Sequence, residues 1–292
     1  MTLRHSDTLR LAVPNKGRIA GPILELVEKS GLHIETGGER RLVAKTCDPQ
    51  VEILYARPID IPEYVANGAA DLGITGHDMV LERGSRVEEV LDLGIGRATL
   101  VLAVPDDAAV AEPEQLDGAN IATEFPHITR RYFSDKGINV TVVEVSGACE
   151  ATPYLGIADA IVDLSSSGQT LKTNRLRVID EILATSTRLI VNARAYAQHT
   201  EKVDELRLAL ESVVSARGQC YLMMNVHRDA LQKVREVLPG LSGPTVMDVA
   251  SSEHLVAVHA VVNESQIYRL ISMLKRAGAR DILVVPIERM IR

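Results

Sequence analysis

Residues 157–174, IADAIVDLSSSGQTLKTN, decide how the rest of the chain is read. Ala160, Ile161 and Val162 form an apolar run that ends in Asp163, which predicts a buried strand up to about Leu164. Ser165, Ser166, Ser167, Gly168, Gln169 and Thr170 follow, and a helix can open from Leu171. Small residues offer backbone N–H groups and hydroxyls without bulk, and helical amides behind them favour an anion, so the loop suits a phosphate. Asp159 and Asp163 are four residues apart and on one strand would point to one face. Carboxylates beside a phosphate suit sugar hydroxyls or a cation such as Mg²⁺, so a sugar phosphate fits. A serine-rich turn with two solvated acids is the plainer alternative.

At 292 residues the chain is long enough for two or three domains with cores of their own. No apolar run approaches the roughly 20 residues of a membrane span, and MTLRHSDTLRLAVPNKGR lacks the apolar core of a signal peptide. Cys47, Cys149 and Cys220 are far apart and odd in number, which suggests neither a disulfide framework nor a zinc site. A cytoplasmic protein is expected. A net charge of −7, two Phe and no Trp speak against a nucleic-acid partner. An anionic ligand therefore needs a locally built pocket.

From the N-terminus, 8–13 read as a strand, followed by the turn Asn15-Lys16-Gly17-Arg18 and a helix over 19–30. A strand, a glycine turn with two cations and a helix start form a common anion site in α/β proteins. A second strand, 51–56, ends at Arg57, where ligands of such sheets gather. Asp60 stands where it can cap a helix starting near Pro62, and the glycines around Ile74 suggest close backbone packing. A short helix is expected near 87–90, then an apolar strand over 98–104. A new βα rhythm from Ile121 leads through a turn and short helix at 147–154, bearing Glu150, back to residues 157–174.

The strand 188–191 can return to the first unit. The fold class is thus α/β, with a discontinuous lobe (1–96 and 181–200), a second lobe (97–180) and a cleft between them. A helix over 201–217 leads to residues 218–292, whose βαββαβ order is ferredoxin-like and lacks any cluster of reactive side chains. A small-ligand regulatory module is expected there.

Together these stretches resemble the ATP phosphoribosyltransferase family in its long form. RPIDIPEYVANGAADLGITGHD (57–78), IATEFPHITRRYF (121–133) and GACEATPYLGIADAIVDLSSSGQTLKTN (147–174) carry the resemblance, with ATSTRLIVN (184–192) and GARDILVVPIERMI (278–291). The resemblance implies a bilobed, periplasmic-binding-protein-like catalytic part and a C-terminal ACT-like regulatory domain. It implies transfer of phosphoribosyl from phosphoribosyl pyrophosphate to N1 of ATP, the first step of histidine biosynthesis. Mg²⁺ as cofactor, feedback inhibition by L-histidine and a homo-oligomer between dimer and hexamer come with it. Carried over by position, Ser165 to Thr170 hold the 5′-phosphate, and Asp163 with Asp159 face the ribose hydroxyls or the metal. Lys16, Arg18 and Arg57 meet pyrophosphate or ATP phosphates, with Asp71 and Glu150 assisting. Histidine is expected near Asn225, Leu241, Gly243, Thr245 and Ala279.

That assignment is chemically coherent. Cleaving the C1′–pyrophosphate bond leaves positive charge on the ribose and negative charge on the leaving group, which carboxylates and cations respectively stabilise. ATP N1 is the nucleophile, so no triad is required. Another phosphoribosyltransferase, or a non-catalytic sensor on the same fold, are the competing readings. The first usually carries paired adjacent acids before its loop, whereas Leu164 follows Asp163 here.

Overall fold

Continuous apolar runs make the centre of the first sheet in the computed structural model, which describes residues 8–35, 42–238, 243–250 and 252–291. In chain order come β1 (Leu9–Pro14), α1 (Ala20–Lys29), β2 (Val43–Lys45), β3 (Val51–Ala56), α2 (Ile61–Ala66), β4 (Leu72–Gly76), α3 (His77–Arg83) and β5 (Glu88–Asp92). β1 lies parallel between β3 and β4, and every residue of β4 is buried, as expected of strands covered on both faces. A Cβ at Gly73 would stand 2.5 Å from Ile61 Cγ2, so only glycine lets α2 pack this close to β4.

The second sheet is built from β6 (Ala98–Pro105), β7 (Asn120–Thr123), α4 (Pro126–Asp135), β8 (Thr141–Glu144), β9 (Ala160–Ser165), α5 (Gln169–Thr173) and β10 (Leu176–Thr185). Its order is β10-β6-β9-β7-β8, with β7 parallel to both β8 and β9. Leu100, Leu102, Ile121, Phe133 and Val162 form its core. The chain then returns to the first sheet as β11 (Thr187–Val191), giving the order β2-β3-β1-β4-β11-β5. α6 (Ala193–Gln198) and α7 (Thr200–Ala216) follow.

Two expectations need correction. Residues 87–90 lead into the edge strand β5 rather than a helix, because Glu88 and Glu89 find ladder partners in Val191 and Ile190 of β11. The second crossing between lobes comes at Ser186, since β10 pairs with β6 as far as Thr185. β10 has no clean alternation in sequence because register shifts at Val178/Asp180 and Glu181/Leu183 break it. Over 147–154 the expected turn and short helix are present, the helix being the 3-10 segment Cys149–Ala151.

The chain falls into two units, Met1–Leu208 and Ala209–Arg292. The second contains β12 (Gln219–His227), α8 (Leu231–Val237), β13 (Thr245–Val249), β14 (Ser252–Asn263), α9 (Ile267–Ala277) and β15 (Ala279–Pro286). Its sheet order, β13-β14-β12-β15, is that of the βαββαβ module expected. Cys220, Leu222, Met224 and Val226 alternate inward on β12 and pack with Val258, Leu270 and Leu274. Among the described residues no helix is long and apolar enough to cross a membrane.

Candidate active site

β9 ends at Ser165, and the chain turns at once through Gly168, whose φ of +71° is the left-handed conformation glycine tolerates. Ser165 Oγ accepts from the Gly168 N–H at 3.1 Å, and the Gln169 N–H donates to Ser167 Oγ at 3.4 Å. Buried Leu171 anchors the short α5, while Ser166, Ser167, Gln169 and Thr170 are exposed. Tyr154 fixes the far end of α5, its hydroxyl donating to the Asn174 carbonyl at 2.6 Å. The loop is thus held from behind and open in front.

Three carboxylates gather at the same sheet edge. β7 and β9 run parallel with Thr123 opposite Val162, so the next residues, Glu124 and Asp163, emerge side by side. Glu150 joins them from the 3-10 turn Cys149–Ala151. Burial pushes the Asp163 carboxyl up to about 6, and the charges of Glu124 and Glu150 push the same way. The Leu164 N–H, 2.7 Å from Asp163 Oδ1, and the Arg18 guanidinium oppose them. Among the described residues no three acids, histidines or cysteines converge as a ready metal cage. Beneath the edge, Cys149 is buried, its Sγ 3.2 Å from the Ala122 carbonyl. Burial pushes its thiol far above the usual range, so it is no nucleophile.

The first sheet faces this edge with cations. β1 is its topological switch point, flanked by β3 and β4, and the turn after β1 carries exposed Lys16, Gly17 and Arg18. Arg18 Nη1 donates to Ser166 Oγ at 3.4 Å, bridging the two lobes at the serine loop. Arg57 follows β3, its Nε donating to Asp60 Oδ2 at 2.6 Å. Asp60 also accepts from Arg83 at 3.2 Å, so its side chain serves these cations instead of capping α2. Next to Ser165 and Ser166 opens a cleft of about 450 Å³, bounded on the hinge side by Arg97 and Arg188.

Two predicted residues lie elsewhere. Asp159 precedes β9 and accepts the Asn120 N–H at 2.8 Å, so it is exposed at the opposite end of the strand from the serine loop. With about 3.3 Å per residue, that separates it from Asp163 by roughly 13 Å. The expectation that one strand presents both acids together is corrected on this point, because the strand begins only at Ala160. Asp71 is buried at the start of β4 and accepts the Arg10 N–H at 2.7 Å, tying β1 to β4 away from the cation turns.

Glu124, Arg97 and Arg188 went unremarked in the sequence. Glu124 alone had a signal, an acid following an apolar strand inside 121–133.

In the second unit, Asn225 Nδ2 donates to Asp281 Oδ2 at 3.0 Å, and Ala279 is buried at the start of β15. Thr245 begins β13 opposite His259, whereas Asn225 on β12 stands opposite Ala257. Two strand spacings and a two-residue offset put Thr245 and Asn225 roughly 12 Å apart. Gly243 has φ +86°, and Leu241 lies outside the described residues.

Residues 57–212 match the family model for ATP phosphoribosyltransferase, and 216–289 match that for the HisG C-terminal domain. The ATP phosphoribosyltransferase of Methanocella arvoryzae is 56% identical, covering 97% of this chain and 100% of its own. That of Methanothermobacter thermautotrophicus is 51% identical over 97% of this chain and 99% of its own. Among solved structures, a chain of the ATP phosphoribosyl transferase (HisG:HisZ) complex from Thermotoga maritima is 31% identical, with a TM-score of 0.62. The match covers 70% of this chain and 99% of that one.

Proposed function

Because the chain belongs to the ATP phosphoribosyltransferase family, we propose that its cleft joins phosphoribosyl pyrophosphate to N1 of ATP with release of pyrophosphate, opening L-histidine synthesis. The observation that carries this reading is the Arg18–Ser166 contact, which brings a cation turn and a serine loop together beside a raised carboxyl.

The 5′-phosphate of the donor lies on Ser165 to Thr170, where small side chains leave room for an anion. Asp163 then faces the ribose, its negative charge steadying the oxocarbenium character that develops at C1′. Lys16, Arg18 and Arg57 meet the pyrophosphate and the ATP phosphates. ATP N1 attacks from within the cleft, so the protein's task is to position two anionic substrates and exclude water.

Mg²⁺ fits this site. The ion takes oxygen ligands and normally uses one or two carboxylates plus substrate phosphates, so the lack of a complete cage among the described residues is compatible with it. Asp163 and Glu150 are the groups that would hold it, with Glu124 close by. Bound there it would neutralise charge on the departing pyrophosphate. Asp159 and Asp71 fix the opposite ends of their strands and support the site only through the sheets.

The βαββαβ unit is proposed as the sensor of L-histidine, using Asn225, Gly243, Thr245 and Ala279. The spread of roughly 12 Å between Asn225 and Thr245 favours a site completed by a second copy of the unit in a homo-oligomer, dimer to hexamer. Three free cysteines, two of them buried, suit a cytoplasmic setting. One assay tests the reading: with Mg²⁺, ATP and phosphoribosyl pyrophosphate, ultraviolet absorbance should rise as N1-substituted adenine forms, and histidine should slow the rise. Turnover with a free purine but not with ATP would favour base salvage, and binding without turnover a sensor.

A further inference from the structure

The hinge-side part of the cleft carries a cation that the substrate assignments above leave unused. Asp92 is fully engaged: its Oδ1 accepts from the Gly94 N–H at 2.8 Å and from the Ser186 hydroxyl at 2.7 Å, and its Oδ2 pairs with Arg188. Arg188 is engaged too, donating to Glu89 at 3.1 Å and to Ser186 Oγ at 2.8 Å. Arg97, exposed on the same wall, has no hydrogen-bond or ion-pair partner among the described residues. Arg188 is thus neutralised by Asp92 and Glu89, and of the two guanidinium groups on the wall only Arg97 is free to meet a ligand.

The other walls are hydroxylated. Ser165 and Ser166 are shared with the phosphate loop, and Thr99 stands opposite Ser165 in the β6–β9 ladder. At about 450 Å³ the cleft falls within the range of small-ligand sites, roughly 300–1,000 Å³. A free guanidinium beside hydroxyl donors is the chemistry of phosphate recognition.

We propose that this hinge-side pocket takes a polyphosphate tail, with Arg97 as the cation that reads it. Two sources share that chemistry, the triphosphate of ATP and the diphosphate of the phosphoribosyl donor. The inference rests on the cleft being the substrate site, and its test separates the two.

Full-length wild type, Arg97→Ala and Arg97→Lys are titrated calorimetrically with inorganic pyrophosphate. Initial rates are measured with each substrate varied in turn. The expected result is at least tenfold weaker pyrophosphate binding by Arg97→Ala, with part of the loss recovered in Arg97→Lys. One KM should rise by a similar factor while the other stays within twofold, and the affected substrate names the source. Pyrophosphate affinity within twofold of wild type in Arg97→Ala overturns the proposal. A wild type that binds pyrophosphate through Arg97 yet turns over neither substrate supports the pocket and overturns the transfer reaction instead.

Discussion

Arg18 and Ser166 are 148 positions apart in sequence, yet Arg18 Nη1 donates to Ser166 Oγ at 3.4 Å. The contact links the turn after β1 to the loop after β9, so each lobe supplies half of one anion site. Arg18→Ala should lower kcat/KM by about 10²-fold, the usual cost of losing a charged donor aimed at developing negative charge. Ser166→Ala should cost far less, since neighbouring groups of the loop remain. Steady-state kinetics on the two variants checks the order.

Asp163 links activity to pH. Its folded-state carboxyl titrates at about 6, above the ordinary 3.8, chiefly through burial. The ionised form is the one that serves ribose and metal, so kcat/KM should fall as pH drops through about 6. Stability moves the other way. A carboxyl with a raised folded pKa favours folding below its unfolded pKa, and that contribution is lost as pH rises through the folded one. Above pH 6 the ligand-free Asp163→Asn variant should therefore be more stable than wild type, on the order of 2 kcal/mol, while turning over far more slowly. Denaturant titrations at two pH values read the first effect and the adenine assay the second.

Asp92 clips both crossings between the lobes, through the Gly94 amide on one and the Ser186 hydroxyl on the other. Asp92→Ala should destabilise the chain by about 1–2 kcal/mol. Because lobe closure assembles the site, KM for both substrates should rise together, unlike the single-substrate effect expected at Arg97. A thermal melt with paired KM measurements separates the two.

Much of this site was legible because its parts are local. The run 160–164 reads as a strand since β9 is central and its first residues are buried, and the serines follow without interruption. Glu124 was not legible as a partner of Asp163, because only the Thr123–Val162 register brings them together. β10 was hidden by its two register shifts, and with it the place of Ser186 at the hinge. Asp159 was misplaced by one residue of strand boundary: an even spacing from Asp163 implies a shared face only if both are in the strand.

Asp71 offers a control. It is 6% exposed and accepts the Arg10 N–H at 2.7 Å, far from the cation turns. Asp71→Ala should cost about 1–3 kcal/mol by leaving a buried N–H unpaired. KM values of the folded fraction should stay within twofold of wild type, which chemical denaturation and kinetics together would establish.

The central claim is that Ser165 to Thr170 hold the 5′-phosphate of a phosphoribosyl donor beside Asp163. The most direct measurement is a crystal structure of the protein with phosphoribosyl pyrophosphate and Mg²⁺. The 5′-phosphate should lie within hydrogen-bond distance of the loop, with the ribose hydroxyls turned toward Asp163. A donor bound with its 5′-phosphate on the Lys16–Arg18 turn, and the serine loop empty, would contradict the account.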